Sequence, residues 1–113
     1  MGGSKFAETP KPPYYAVIFA SQRKPGDNGY GAMAERMAEI APTMPGYLGI
    51  ESARGPDGFG ITVSYWKDED SIRRWKAQAD HLVAQARGKA EWYGHYELRV
   101  AKVERGYSGP EGR

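Results

Sequence analysis

Between Tyr14 and Gln22 the chain reads YYAVIFASQ, a run without a charged residue and rich in aromatic and β-branched types. Both alternating sets are apolar, Tyr15, Val17 and Phe19 on one side and Tyr14, Ala16, Ile18 and Ala20 on the other. That pattern predicts a strand buried on both faces. After the break RKPGDNG the period lengthens: Tyr30, Met33, Met37 and Ile40 recur at helical spacing, with Asp27 or Asn28 to cap the helix and Pro42 to stop it. YLGIESARG and FGITVSYW return to strand character on either side of a PDG turn in which Gly58 can take positive φ, so they predict a hairpin. A second helix starts at Asp68 or Ser71, carries the apolar arc Ile72, Trp75, Ala79, Leu82, Val83 and Ala86, and is closed or kinked by Gly88. EWYGHYELRVAKVER then alternates as a long fourth strand.

The order β-α-β-β-α-β is that of a ferredoxin-like α+β fold, an antiparallel sheet with both helices on one face. Two helices cover one face of four strands, yet the first strand is apolar on both. With no third layer in the chain, the remaining face is expected to pack on the same face of a second copy, giving a homodimer. The ordered domain is expected over residues 14–107. Residues 1–13, rich in Gly, Pro and charge, read as a mobile tail, and residues 108–113 as a frayed end.

Composition narrows the chemistry. The chain has 113 residues, one domain's worth. Sixteen Lys and Arg against 14 Asp and Glu leave a net charge of +2, with both signs interspersed, which argues against a nucleic-acid footprint. There is no cysteine, so disulfides, thiolate zinc sites and cysteine nucleophiles are excluded. The uncharged stretches contain too much Gly, Tyr and Pro for a signal peptide or a membrane span, and a soluble cytoplasmic protein with no membrane partner is expected. GPDGFG is turn chemistry and not a phosphate loop, since no Gly-Lys-Ser/Thr follows it. His95, Glu97 and Arg99 share one face of the fourth strand. Two histidines in the whole chain are a thin ligand supply, so a hydrogen-bond and ion-pair ladder is preferred there and no metal site is expected.

The hairpin ESARGPDGFGITVSYW, the spacing from Trp66 to Trp75 through KDEDSIRR, and the ending EWYGHYELRVAKVER resemble the antibiotic biosynthesis monooxygenase (ABM) domain family, in particular its small bacterial branch grouped with haem-degrading monooxygenases. The resemblance spans Tyr14 to Tyr107. It implies a dimeric α+β barrel in which each subunit keeps a pocket between its helices and its sheet. It also implies an oxidoreductase: relatives oxidise polycyclic phenols or quinols with O₂ and neither metal nor flavin, while others bind and degrade haem.

Trp75 matches the tryptophan that lines the haem pocket in the haem-degrading relatives, against the plain alternative of a core tryptophan. The position of their iron-binding histidine is Gln85 here, a poor iron ligand beside imidazole. His81 is the nearest substitute. At about 100° per residue it lies some 240° around the helix from Trp75, beside Gln78 and Gln85. A solvent-facing residue, a pocket base and a displaced haem ligand are its three readings. Aromatic residues make up 12% of the chain, and Trp66, Trp75, Trp92, Tyr65, Tyr93 and Tyr96 gather in its second half. They either fill a small core or hold a flat ligand. The expected function is a cofactor-independent monooxygenase acting on a small aromatic, phenolic or quinol-like substrate. Its catalytic candidates are His81, Gln85 and Trp75, and its substrate-binding candidates are Gln78, Trp66, Tyr65, Phe19, Ser21, Trp92 and Tyr96. Haem binding or degradation, and a non-catalytic dimer holding a hydrophobic ligand, are the alternatives.

Overall fold

Four strands and two long helices account for most of the chain in the computed structural model, which describes residues 5–86 and 89–110. They run in the order β1 (Tyr14–Arg23), α1 (Tyr30–Ile40), a 3₁₀ turn (Ala41–Thr43), β2 (Tyr47–Arg54), β3 (Phe59–Trp66), α2 (Glu69–Ala86), a single helical turn α3 (Lys89–Trp92) and β4 (Tyr93–Val103). The sheet is antiparallel throughout, with strand order β2-β3-β1-β4. This is the ferredoxin-like arrangement, and its most apolar strand, β1, is central.

Local chemistry explains the boundaries. At the start of α1 the Asp27 carboxylate accepts hydrogen bonds from the amides of Gly29 and Gly31, at 3.0 and 3.1 Å, while Gly29 itself occupies the cap position. Asp68 caps α2: one carboxylate oxygen accepts both the amide and the hydroxyl of Ser71, at 2.8 and 2.7 Å. Those bonds hold the Asp68 carboxyl below the usual carboxylate range. The β2–β3 turn needs positive φ at Gly58, which has φ 91°.

Two boundaries differ from the alternation of the sequence. Pro42 does not end the helical path at once but sits in the 3₁₀ turn that follows α1. The fourth strand starts at Tyr93, because Glu91 and Trp92 belong to α3. Tertiary bonds hold that turn: the Trp92 indole N–H donates to the Asn28 carbonyl at 2.8 Å, and the Trp92 carbonyl accepts the Lys24 amide and Arg23 Nε. Gly88, the expected helix breaker, lies outside the described residues.

The core lies between the helices and the face of the sheet that carries Val17 and Trp66. Val17, Trp66 and Ile72 are its buried centre, with Tyr15, Met44, Tyr47 and Trp75 packed around them. On the other face Tyr14 and Ala16 are buried, Ile18, Ala20 and Val63 are half-buried, and Phe59 and Ile61 stand 47% and 43% exposed. Residues 5–13 form no regular element, but they run against this open face. The Ala7 amide donates to Glu51 at 3.0 Å, and the Thr9 and Tyr14 hydroxyls are 2.9 Å apart. Among the described residues no helix is long and apolar enough to cross a membrane.

Candidate functional site

Strand register turns the helix-facing side of the sheet into a floor of four cross-strand rows. They read Tyr47–Trp66–Tyr15–Lys102, Ile50–Ser64–Val17–Val100, Ser52–Thr62–Phe19–Leu98 and Arg54–Gly60–Ser21–Tyr96. Successive rows lie two residues apart, about 7 Å, so the floor is about 20 Å long.

One end is dry and aromatic. Trp66 is fully buried, its indole N–H donating to Ser64 Oγ at 2.9 Å. Half-buried Trp75, from α2, stacks on it with ring centres 5.8 Å apart and planes at 25°. Tyr47 meets Trp66 edge-on at 5.6 Å. Stacked and edge-to-face pairs of this kind fix ring orientation as well as burying area.

The opposite end is aromatic and cationic. Phe19 contacts Tyr93 and Tyr96, and Tyr30 of α1 meets Trp92 and Tyr93 edge-on. The Arg23 guanidinium lies 3.6 Å from the centre of the Tyr30 ring, and that of Arg54 lies 6.0 Å from it. Arg54 reaches there by crossing β3. It donates through Nη2 to Ser21 Oγ at 2.8 Å, and through Nη1 to the Ser21 carbonyl at 3.1 Å and to the Gly58 carbonyl. The strand it crosses carries Gly60, where a Cβ would come within 2.8 Å of Arg54 Cζ. The missing side chain at Gly60 is therefore the gap that admits the guanidinium to Ser21, itself 1% exposed. Burial, with Tyr30 adding to it, pushes the Tyr93 phenol well above its ordinary value, against the pull of Arg54 and Arg23, so this hydroxyl stays protonated.

The family model for antibiotic biosynthesis monooxygenase matches residues 13–87, most of the sheet and both long helices. The chain belongs to the ABM family. Among curated relatives of this ABM protein, the uncharacterised protein YqjZ of Bacillus subtilis is 52% identical over 99 residues, 88% of this chain and 87% of that one. The jasmonate monooxygenase ABM of Pyricularia oryzae is 31% identical over 94 residues; the match covers 79% of this chain but 43% of that protein. Similar solved structures include SnoaB, a cofactor-independent oxygenase from Streptomyces nogalater (TM-score 0.63, 16% identity, 88% of this chain and 100% of that one). The protein SO0527 from Shewanella oneidensis is another (TM-score 0.68, 10% identity, 80% and 91%). At those identities the structural likeness speaks for the fold.

Within this ABM fold the residues singled out from sequence fall into separate places. Trp66 and Trp75 form the dry end of the floor. Phe19, Ser21 and Tyr96 belong to the cationic end, and buried Trp92 closes that end through its bonds to Asn28, Arg23 and Lys24. Tyr65 lies on the opposite face of the sheet, where its hydroxyl donates to Glu51 Oε1 at 2.7 Å. Burial, together with that carboxylate, pushes its phenol up to about 12. On α2, Gln78 is half-buried while His81 and Gln85 are exposed. His95 and Glu97 pair on the open face at 2.7 Å, a contact along β4 rather than across strands, and its hydrogen bond lowers the Glu97 carboxyl. Among the described residues no group of three or more His, Asp or Glu is placed to hold a metal.

Arg54, Arg23 and Tyr30 were not singled out as site residues from the sequence. Gly60 was the readable signal, because a glycine inside a strand marks a close approach. Which side chain makes that approach depends on register across three strands.

Proposed function

We propose that this ABM protein is a cofactor-independent monooxygenase that oxidises a small aromatic, phenolic or quinol-like substrate with O₂, working as a homodimer with open sheet faces together. The observation that carries the reading is the half-exposed Trp75 indole stacked on buried Trp66 within a chain matched by the ABM family model. A rigid, partly open indole offers a face for a flat ligand, and the aromatic floor extends it. The exposed apolar residues Phe59 and Ile61, beside half-buried Ile18, Ala20 and Val63, support the dimer, since apolar surface on a sheet is stabilised by packing against another layer.

The chemistry needs no external reductant. Oxidising an activated CH₂ to a carbonyl supplies the four electrons that reduce O₂, one oxygen atom entering the substrate and the other leaving as water. The protein's part is to hold the ionised substrate, because a phenolate gives up an electron to O₂ more readily than a phenol. In this reading protonated Tyr93 and the guanidinium groups of Arg23 and Arg54 supply the donors and positive charge that stabilise a developing negative charge. Gln78, His81 and Gln85 are the candidates for orienting the substrate and accepting its proton from the α2 side.

Oxygen uptake with a panel of quinols and anthrones tests the reading. Turnover by the unmodified chain, reduced at least tenfold by Trp75→Ala, is the expected result. Unchanged turnover when Trp75, His81 and Gln85 are replaced together would remove the site assignment. Haemin titration separates the haem alternative: a Soret shift followed by loss of the band with reductant and O₂ would favour it.

A further inference from the structure

Residues 5–13 are built onto the open face of the sheet and do not simply trail from it. Ala7 sits where β2 has Gly49: a Cβ at that position would come within 2.7 Å of the Ala7 Cβ. Two residues on, and on the same face, Glu51 holds the segment. Its Oε2 accepts the Ala7 amide at 3.0 Å while its Oε1 accepts the Tyr65 hydroxyl at 2.7 Å. Pro10, Pro12 and Pro13 stiffen the path to Tyr14 and lower the entropy lost on ordering it. Phe6 lines one shallow hollow with Ala53, Ile61 and Val63, so the segment adds a ring to the apolar strip of the face. That ring is 78% exposed, and six of the nine residues of the segment are exposed. Ordering nine residues costs more backbone entropy than two hydrogen bonds, Ala7 to Glu51 and Thr9 to Tyr14, return.

We propose that residues 5–13 are a structural part of the homodimer interface: the segment stays on its own sheet and carries Phe6 against the second copy. The partner then packs on a composite surface, made of the segment over β2 and the strip Ile18, Ala20, Phe59 and Ile61 along β1 and β3. Glu51 favours this over displacement of the segment by the partner. It lies mid-sheet in the row Glu51–Val63–Ile18–Arg99, where a second copy on the open face would cover it. With the segment lifted, the carboxylate would enter the interface one donor short, and a charge buried without its donors is costly. With the segment in place the charge is roofed by its own chain, and the Phe6 ring, whose burial is favourable, meets the partner instead. A twofold interface makes each such contact twice. This inference rests on the homodimer of the function proposed above.

The test is sedimentation velocity of the purified full chain and two variants over a micromolar concentration series. Phe6→Asp, on an exposed residue whose loss does not threaten the fold, should raise the dimer dissociation constant at least tenfold. Gly49→Ala keeps Phe6 but pushes Ala7 off β2, so it should weaken the dimer as well. Hydrogen exchange of the unmodified chain gives a readout that needs no variant: the Ala7 and Thr9 amides should become more protected as the dimer fraction rises with concentration. A dissociation constant unchanged in both variants, a tighter dimer in either, or protection that falls as the dimer forms overturns the proposal. The two readings fail separately. A wild-type chain that stays monomeric throughout the series defeats the homodimer itself, whereas a wild-type dimer indifferent to both variants defeats only the role of the segment.

Discussion

The two faces of the same four-stranded sheet are built from alternate residues of the same strands, yet they do different work. Trp66 faces the helices and is fully buried, while its neighbour Tyr65 faces the other way and binds Glu51 beneath the N-terminal segment. The helix side has a dry tryptophan stack at one end and a guanidinium pair at the other, with Ser64 and Ser21 satisfied inside it. On the open side lie Ile18, Ala20, Phe59, Ile61 and Val63, and the exposed His95–Glu97 pair marks its β4 edge. This chain's own helices bury the Val17–Trp66 part of the first face and leave Ile50, Leu98 and Val100 at its rows' ends exposed. The second is left for residues 5–13 and, under the proposed function, for another copy. Under the proposed function one sheet separates a ligand side from an assembly side, and the difference is a matter of residue parity.

Substitutions on the two faces should fail in different ways. Trp66→Ala, at the centre of the helix side, should cost about 3–5 kcal/mol through lost burial and a residual cavity. In urea melts that loss should not depend on protein concentration, and a small loss would mean that the stack is not the core. Ile61→Asp, on the open side, should leave the fold largely intact but shift sedimentation from dimer to monomer at micromolar concentration. A wild-type chain that already sediments as a monomer would break the comparison at its root. The smallest effect is expected from Tyr65→Phe, about 1 kcal/mol or less for one hydrogen bond to a carboxylate that also accepts the Ala7 amide. Its signature is alkaline. The folded-state phenol is raised from the usual 10.0 to about 12, so the unfolded chain loses this proton first as pH rises. The contribution is therefore complete below pH 10 and is lost between pH 10 and about 12. Tyr65→Phe should flatten that part of the stability profile, and an unchanged alkaline slope would show that the Glu51 bond does not persist in solution.

Much of the fold was legible from local chemistry. The alternation of YYAVIFAS, the helical recurrence of Met33, Met37 and Ile40, the PDG turn and the cap at Asp68 each act over a few residues, and each appears where its pattern lies. The candidate site was legible in part. Trp66, Phe19, Ser21 and Tyr96 do lie on the helix-facing side of the sheet, with Trp75 of α2 packed onto it, but Tyr65 could have been set apart by parity alone, since adjacent strand residues point to opposite faces. Trp92 was misread as strand because EWYGHYEL alternates well. Its helical turn is imposed by bonds to Asn28, Lys24 and Arg23, all more than 60 residues earlier in the chain.

By itself, then, the sequence determined the four strands and the two long helices, though not the α3 turn, which residues share a face of each, and that β1 is apolar on both. Those properties follow from periods of 2.0 and 3.6 residues and from turn and cap chemistry, all of them short-range. Only the tertiary structure decided that β1 lies between β3 and β4, in a register that lines up Arg54, Gly60, Ser21 and Tyr96. Pairing partners are chosen by burial and hydrogen bonding summed over the whole sheet, so no local window contains the choice. The guanidinium pair over Tyr30 exists because of that choice, which joins residues from β1, β2 and α1 around the gap left by a glycine in β3.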